Sequence, residues 1–211
     1  MARLNGPKIV TNGLVLYLDA ANVRSSPGNG TVWTDLSKNG NNGTLVNGPT
    51  FDANNGGSIV FDGTNDYVST AKVIPNLTTF TFSLWYRGTG GGYLSGIFYN
   101  TMTFLGGAYM QVHESVRTIG AYNTGQWTQL AMVATDTQDL GYRQGVLVLS
   151  STASIYRPTY SRVLVIGARG AGGTPTGFSA GKFNNVMLYN RALSAEEIRQ
   201  NFNATRERFG V

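Results

Sequence analysis

The chain has 211 residues, no cysteine and only 13% charged residues, yet it carries a formal net charge of +5. Without cysteine it has no disulfides, zinc–thiolate sites or thiol nucleophiles, and it is compatible with assembly in a reducing cytoplasm. A single domain of this length buries about 70% of the surface its unfolded form exposes, so it requires no covalent staples.

Residues 1–13 read as an N-terminal arm. Met1 to Pro7 lacks the apolar stretch of a secretory signal, and nowhere does an apolar run reach the roughly 18 residues of a membrane span. The Asn-x-Ser/Thr triplets at Asn29, Asn42, Asn76 and Asn203 therefore have no evident glycosylation context. Leu14 to Asp19, LVLYLD, is the first strand candidate. Asn-Gly pairs recur at 5–6, 12–13, 29–30, 39–40, 42–43, 47–48 and 55–56. Such pairs favour positive φ and tight reversals, so this part reads as short extended pieces with sharp turns. Gly57 to Thr70, GSIVFDGTNDYVST, reads as a hairpin about Gly63-Thr64-Asn65. Ile59 and Phe61 point to one face of it and Val60 to the other.

Thr79 to Arg87, TFTFSLWYR, is the clearest period-two run: Phe80, Phe82, Leu84 and Tyr86 share a face, and Thr81, Ser83 and Trp85 share the other. A loop at Gly88 to Gly92 leads to strand candidates around Tyr93–Tyr99, Met102–Val112 and Val116–Ala121. Gln126 to Thr135 is another strand, with Asp136 to Gly141 as its polar turn. Val146–Leu149 and Val163–Ile166 are apolar on both faces. One face of each therefore requires cover from a loop, the helix or a neighbouring subunit. Gly167 to Gly173 reads as a mobile loop.

A single helix is predicted near the end, over 194–209. Ser194 with Glu197 forms a capping box and Leu193 with Ile198 a hydrophobic staple. Ala195, Ile198 and Phe202 make its apolar stripe, and Gly210 can end it. Many strands, frequent Gly turns and one late helix predict a single all-β domain spanning 1–211, a two-sheet jelly-roll sandwich with one short C-terminal helix.

Several of these segments also carry a family resemblance. LVLYLDAAN, WTDLSKNGNNGTLVNGPTF, GGSIVFDGTNDYV, TFTFSLWYR, GQWTQLAMVATD and FNNVMLYNRALSAEEI resemble the laminin-G-like, concanavalin A-like lectin/glucanase domains. The opening GLVLYLDAAN with its Asn-Gly block is similar to forms found in structural proteins of tailed bacteriophages. That likeness implies a non-enzymatic virion component, assembled in the host cytoplasm. It would decorate a capsid or sit elsewhere on the virion surface, as a homo-oligomer or as a subunit bound to capsid or tail proteins. The alternative it implies is a carbohydrate-binding, lectin-like module for host-surface glycans. Two departures stand out. Asn184-Asn185 replace the acidic pair that usually precedes the closing strand, and LSSTASI replaces a usual Asp-Gly or Asn-Gly hairpin. The first puts any acid-dependent site in doubt.

The residues themselves yield no catalytic constellation. Retaining glycosidases require two carboxylates about 5 Å apart, and none of the eleven acids falls in a Glu-x-Asp-x-x-Glu or similar strand pattern. His113, beside Glu114, has no nucleophile motif with it and reads as structural. Calcium is the cofactor the fold makes worth asking about. Its weak candidate ligands are Asp62 and Asp66, with Asn65 between them, and Asp136 with Asp139; turn capping explains both pairs more simply. Gly177-x-x-x-Gly181-Lys182-Phe183 falls short of a phosphate loop. Twelve of the sixteen basic residues are Arg, which suits an acidic partner at an interface, but their scatter argues against a specific nucleic-acid patch. Trp85 and Trp127 read as core and Trp33 as a pin for the early loop. Tyr93, Phe98, Tyr99 and Tyr109 are the surface aromatics that could stack on a sugar.

Overall fold

The structure, a computed structural model, describes residues 7–72, 77–88, 95–97, 102–105, 109–112, 115–119, 125–152, 163–170 and 174–211. Among these residues, sixteen strands build two eight-stranded antiparallel sheets. The first contains β1 (Leu14–Asp19), β4 (Thr50–Asp52), β5 (Ser58–Asp62), β7 (Phe80–Gly88), β12 (Thr128–Ala134), β13 (Gln138–Arg143), β14 (Val146–Thr152) and β16 (Ala180–Tyr189). Its order is β14-β13-β12-β7-β16-β5-β4, with β1 pairing the far half of β16. The second contains β2 (Val32–Trp33), β3 (Gly43–Val46), β6 (Tyr67–Thr70), β8 (Ser95–Ile97), β9 (Met102–Leu105), β10 (Tyr109–Val112), β11 (Ser115–Thr118) and β15 (Leu164–Ile166). Its order is β11-β10-β9-β8-β15-β6-β3-β2. One α-helix, α1 (Ala195–Thr205), follows the last strand and continues as a 3-10 turn over Arg206–Phe209.

The core lies between the sheets. Leu16, Leu18, Ile59, Phe61, Phe82, Leu84, Tyr86, Phe183 and Leu188 reach it from the first sheet, and Trp33, Val68, Leu164 and Ile166 from the second. Phe61 and Phe183 meet edge to face at 4.9 Å, a favoured aromatic geometry. The predicted alternation holds in β5, where Ile59 and Phe61 are buried and Val60 is half-exposed.

The expected hairpin at Gly63-Thr64-Asn65 is instead a corner between the sheets. β5 pairs with β16 and β4, whereas β6 pairs with β15 and β3. The corner passes close over the start of β16, where a Cβ on Gly63 would lie 2.9 Å from that of Ala180. Asn47-Gly48, with φ of 68° and 108°, makes a second reversal from one sheet to the other, between β3 and β4. Asn42-Gly43 is not a turn: Gly43 lies in β3, and a Cβ there would meet Val68 Cγ1 at 2.5 Å. Bare backbone is needed there for close packing, not for positive φ.

Three other expectations are revised. Met102–Val112 is two antiparallel strands, β9 and β10, with Leu105 opposite Tyr109; the sequence between them carries Gly106-Gly107. The polar turn ends before Gln138, and Asp139 to Gly141 belong to β13, because Leu140 and Tyr142 have an apolar layer to join. In the apolar runs, Leu164, Val165 and Ile166 are buried by the chain itself, but Val146 and Leu147 remain 64% and 48% exposed.

β7 is buried on both faces because α1 covers the outer face of the first sheet. The capping box is complete: Glu197 N–H donates to Ser194 Oγ, and Ser194 N–H donates to Glu197 Oε2. Arg191 grips the same Glu197 through both carboxylate oxygens, at 2.8 and 2.5 Å. Of the predicted stripe, Ile198 is buried and Phe202 packs on Trp85, but Ala195 is exposed, and Asn201 and Thr205 also face inward. The two polar members have partners. Asn201 Oδ1 accepts from Val10 N–H, Asn201 Nδ2 donates to the Tyr189 hydroxyl, and that hydroxyl donates to Val10 O. Thr205 Oγ1 accepts from Trp85 Nε1 at 2.8 Å. Trp85 stacks on Phe202 and Phe209, so it is core, but in the layer beneath the helix and not between the sheets. Val10, Ala131, Val133, Tyr142, Met187, Tyr189, Leu193 and Ile198 complete this second apolar layer.

A buried polar hub closes the C-terminal segment onto the sheet. Arg208 donates to both oxygens of Asp19, at 2.7 and 3.0 Å, and to Asn184 Oδ1 at 3.1 Å. The Tyr17 hydroxyl also donates to Asp19; burial, then this carboxylate, pushes the phenol pKa far up. Asn184 and Asn185 form a β-bulge in β16, since β16 advances three residues from Phe183 to Val186 while β7 advances two from Tyr86 to Leu84. The extra residue lets both Phe183 and Val186 face the core.

Candidate functional site

The sequence candidates separate in the structure. Asp62 is exposed and its Oδ1 accepts from Thr64 N–H at 2.7 Å, a bond that holds its carboxyl below the usual range. Asp66 is buried, accepts from Asp62 N–H, and is pushed up by that burial. The pair braces the corner between β5 and β6. Asp136 is exposed on its turn while Asp139 is fully buried in β13. Among the described residues, no three His, Cys, Asp or Glu converge in a way that could hold a metal ion. Asp35 is structural: its carboxylate accepts from Tyr17 N–H, Ser37 N–H, Ser37 Oγ and Asn41 N–H, tying the Asn-rich loop to β1.

His113, Glu114, Tyr93, Phe98 and Tyr99 lie outside the described residues; Tyr109 is placed in β10. Gly181, Lys182 and Phe183 stand in β16, a strand, so the phosphate-loop likeness is spurious. The Gly167 to Gly173 segment is tied down at Arg169, whose backbone exchanges two hydrogen bonds with Thr176; residues 171–173 lie outside the description. Trp33 is fully buried in the core. Trp127 is 6% exposed, packs on Phe209 and donates its Nε1–H to Asn55 Oδ1.

Among the described residues, open space stands out at the following two places. One is a cleft of about 270 Å³ at the edge of the sandwich, lined by Ser26, Asn29, Val32, Thr50, Phe51 and Ile59 among others. Its lining is uncharged. The other is a groove on the outer face of the first sheet, made of two adjoining cavities of about 360 and 310 Å³ that share Arg87 and Gly125. Asn55, Gln126, Trp127, Gln144 and Phe209 line one part; Val60 and Lys182 line the other. Register builds this floor: Arg87 on β7 lies opposite Lys182 on β16, which lies opposite Val60 on β5. Lys182 pairs with Asp52, whose carboxyl the ammonium holds below its ordinary range. The groove therefore offers the Gln144 amide, the half-exposed Phe209 ring and a guanidinium, groups suited to a polar ligand; Asn55 is spent within the protein, since its Oδ1 accepts from Trp127 and its Nδ2 donates to Arg208 O.

The sequence reading did not single out this groove. The alternation in TFTFSLWYR already places Arg87 with Trp85 on the outer face. Its opposition to Lys182 depends on the register of a strand nearly a hundred residues away, which no local pattern reveals.

Two antiparallel sheets with a short C-terminal helix are the architecture of the concanavalin A-like jelly rolls. The sequence profile of the concanavalin A-like lectin/glucanases superfamily matches residues 62–199, and the chain belongs to that superfamily. No curated protein sequence matches the chain. Among solved structures it is similar to domain 4 of AbnA, an extracellular GH43 arabinanase from Geobacillus stearothermophilus, in complex with arabinotriose. That match has a TM-score of 0.68 and 16% identity, over 90% of this chain and 98% of that one. It is similar to a Trypanosoma rangeli sialidase in complex with sialic acid, with a TM-score of 0.66 and 18% identity, over 93% of this chain but 33% of the sialidase. The binding domain of Paraclostridial Mosquitocidal Protein 1 is similar too, with a TM-score of 0.68 and 15% identity, over 92% of this chain and 52% of that one. At these identities the likeness is one of fold: a lectin-like sandwich.

Proposed function

We propose that this chain is a non-enzymatic, glycan-binding module. The supporting observation is the outer-face groove, which sets the half-exposed Phe209 ring beside amide side chains on the sheet. Shallow sites of this composition suit sugar rings, whose apolar faces stack and whose hydroxyls require donors and acceptors. A similar fold in complex with arabinotriose supports the reading. So does the lining of the cavities described above, which includes no carboxylate side chain, where glycoside hydrolysis requires two. A glycan array with the purified chain tests it. Reproducible binding to one sugar class at millimolar affinity or better is expected; no binding to any glycan overturns it.

A second reading concerns where the module works. We propose that it is a structural protein of a tailed-phage virion, docked on other virion subunits at the capsid or tail surface. The phage-like opening GLVLYLDAAN favours it, as do Val146 and Leu147, apolar and exposed on β14 at the end of the first sheet. Mass spectrometry and reconstruction of purified particles test it. Absence of the chain from the virion overturns it.

A further inference from the structure

We propose that the groove at Arg87 selects an acidic sugar, taking the carboxylate of a uronate or sialate residue on the Arg87 guanidinium. This rests on the glycan-binding reading and names the class of glycan.

Arg87 and Lys182 are cross-strand partners on β7 and β16 and line the same cavity. Directly opposed like charges destabilise a sheet. Among the described residues, the carboxylate side chain beside this pair is Asp52, and it is committed to Lys182. The Arg87 side chain is exposed, and among the described residues it makes no hydrogen bond or ion pair. The Arg87 guanidinium thus stands, among the described residues, without a side-chain partner, where the sheet alone would favour a neutral residue. A guanidinium presents five N–H donors in a planar fork that matches one carboxylate. Around it stand groups for the rest of a sugar: the half-exposed Gln144 amide and the half-exposed Phe209 ring. A single unpaired cation beside an aromatic ring suits one charged sugar. A nucleic-acid strand requires a track of cations along its phosphates.

Calorimetric titration with paired ligands tests this. Trigalacturonate, an alginate trisaccharide and sialyllactose are each compared with their methyl esters, which keep the skeleton and remove the charge. The free acid of at least one pair is expected to bind ten-fold or more tightly than its ester. Arg87→Gln should erase that preference, and Arg87→Lys should keep part of it. Asp52→Asn, which releases Lys182 from its partner, should tighten acid binding several-fold. The melting temperature of Arg87→Gln should hold or rise, since the substitution relieves a like-charge pair; a fall would mark a structural role and count against the proposal. Equal affinity for acid and ester, or binding of neutral sugars alone, overturns the proposal and leaves the glycan reading standing. Failure to bind any glycan overturns both. Tighter binding of a short single-stranded DNA than of any acidic sugar also overturns it, because the groove would then read phosphate.

Discussion

Arg208 holds Asp19 by both carboxylate oxygens, and Asp19 is only 2% exposed at its side chain. Removing the guanidinium leaves a buried carboxylate with the Tyr17 hydroxyl and the Ala21 N–H as its donors. Arg208→Ala should therefore destabilise the fold by about 3 kcal/mol in urea titrations, the cost of stripping one partner from a buried pair. Glu197 gives a pH-dependent case. Arg191 holds its carboxyl below the ordinary 4.5. A depressed folded pKa means stability that is present above the unfolded value and lost as pH falls through the folded one. The stability gap between the wild type and Glu197→Gln should thus be full at neutral pH and close below pH 4.5, as denaturation at stepped pH would record. The capping box was legible in the sequence because its partners are three residues apart. The Asp19–Arg208 pair was not, since its members stand 189 residues apart and neither residue type announces a mate.

At the scale of elements, α1 behaves as a lid on Trp85 and Tyr189, fastened by polar groups inside an apolar layer. Thr205→Val leaves the Trp85 indole N–H buried without an acceptor and should cost about 2 kcal/mol; Ser194→Ala, at the exposed cap, should cost about 1 kcal/mol. Chemical denaturation of both variants checks that ordering. The bulge in β16 makes a sharper test. Deleting Asn185 leaves Phe183 and Val186 still facing inward and removes a buried carbonyl oxygen that has no hydrogen-bond partner. Inserting one alanine beside it turns every later side chain of the strand over. The deletion should fold and the insertion should not, as heteronuclear NMR spectra would show. The periodic runs made strands easy to recognise. The corner at Gly63 was misread as a hairpin because Gly-Thr-Asn fits either reversal, and only the partners of β5 and β6 distinguish them. Ile198 and Phe202 were legible as the inner stripe of the helix, but Asn201 and Thr205 were not, because they are polar and their burial depends on Val10, Tyr189 and Trp85.

For the whole molecule, the sandwich class was legible from composition and turn density, while the groove depends on strand register, so it emerges only once the sheet is assembled. No cluster of acids gathers for a cation among the described residues, and Asp62 and Asp66 are engaged in bracing a corner. Chelator treatment should therefore leave the melting temperature unchanged; a drop of several degrees would show that a bound cation supports the fold.

β16 stands at the centre of the first sheet, between β7 on one side and β5 with β1 on the other. During vectorial synthesis, residues 180–189 leave the ribosome late. Until they do, the edges of β7, β5 and β1 that await them stay open to other chains. Long-range closure of this kind is slow and exposes unpaired edges to aggregation. Expression in a host with ample holdase chaperone, or at low temperature, should raise the soluble yield far more than any substitution in the groove.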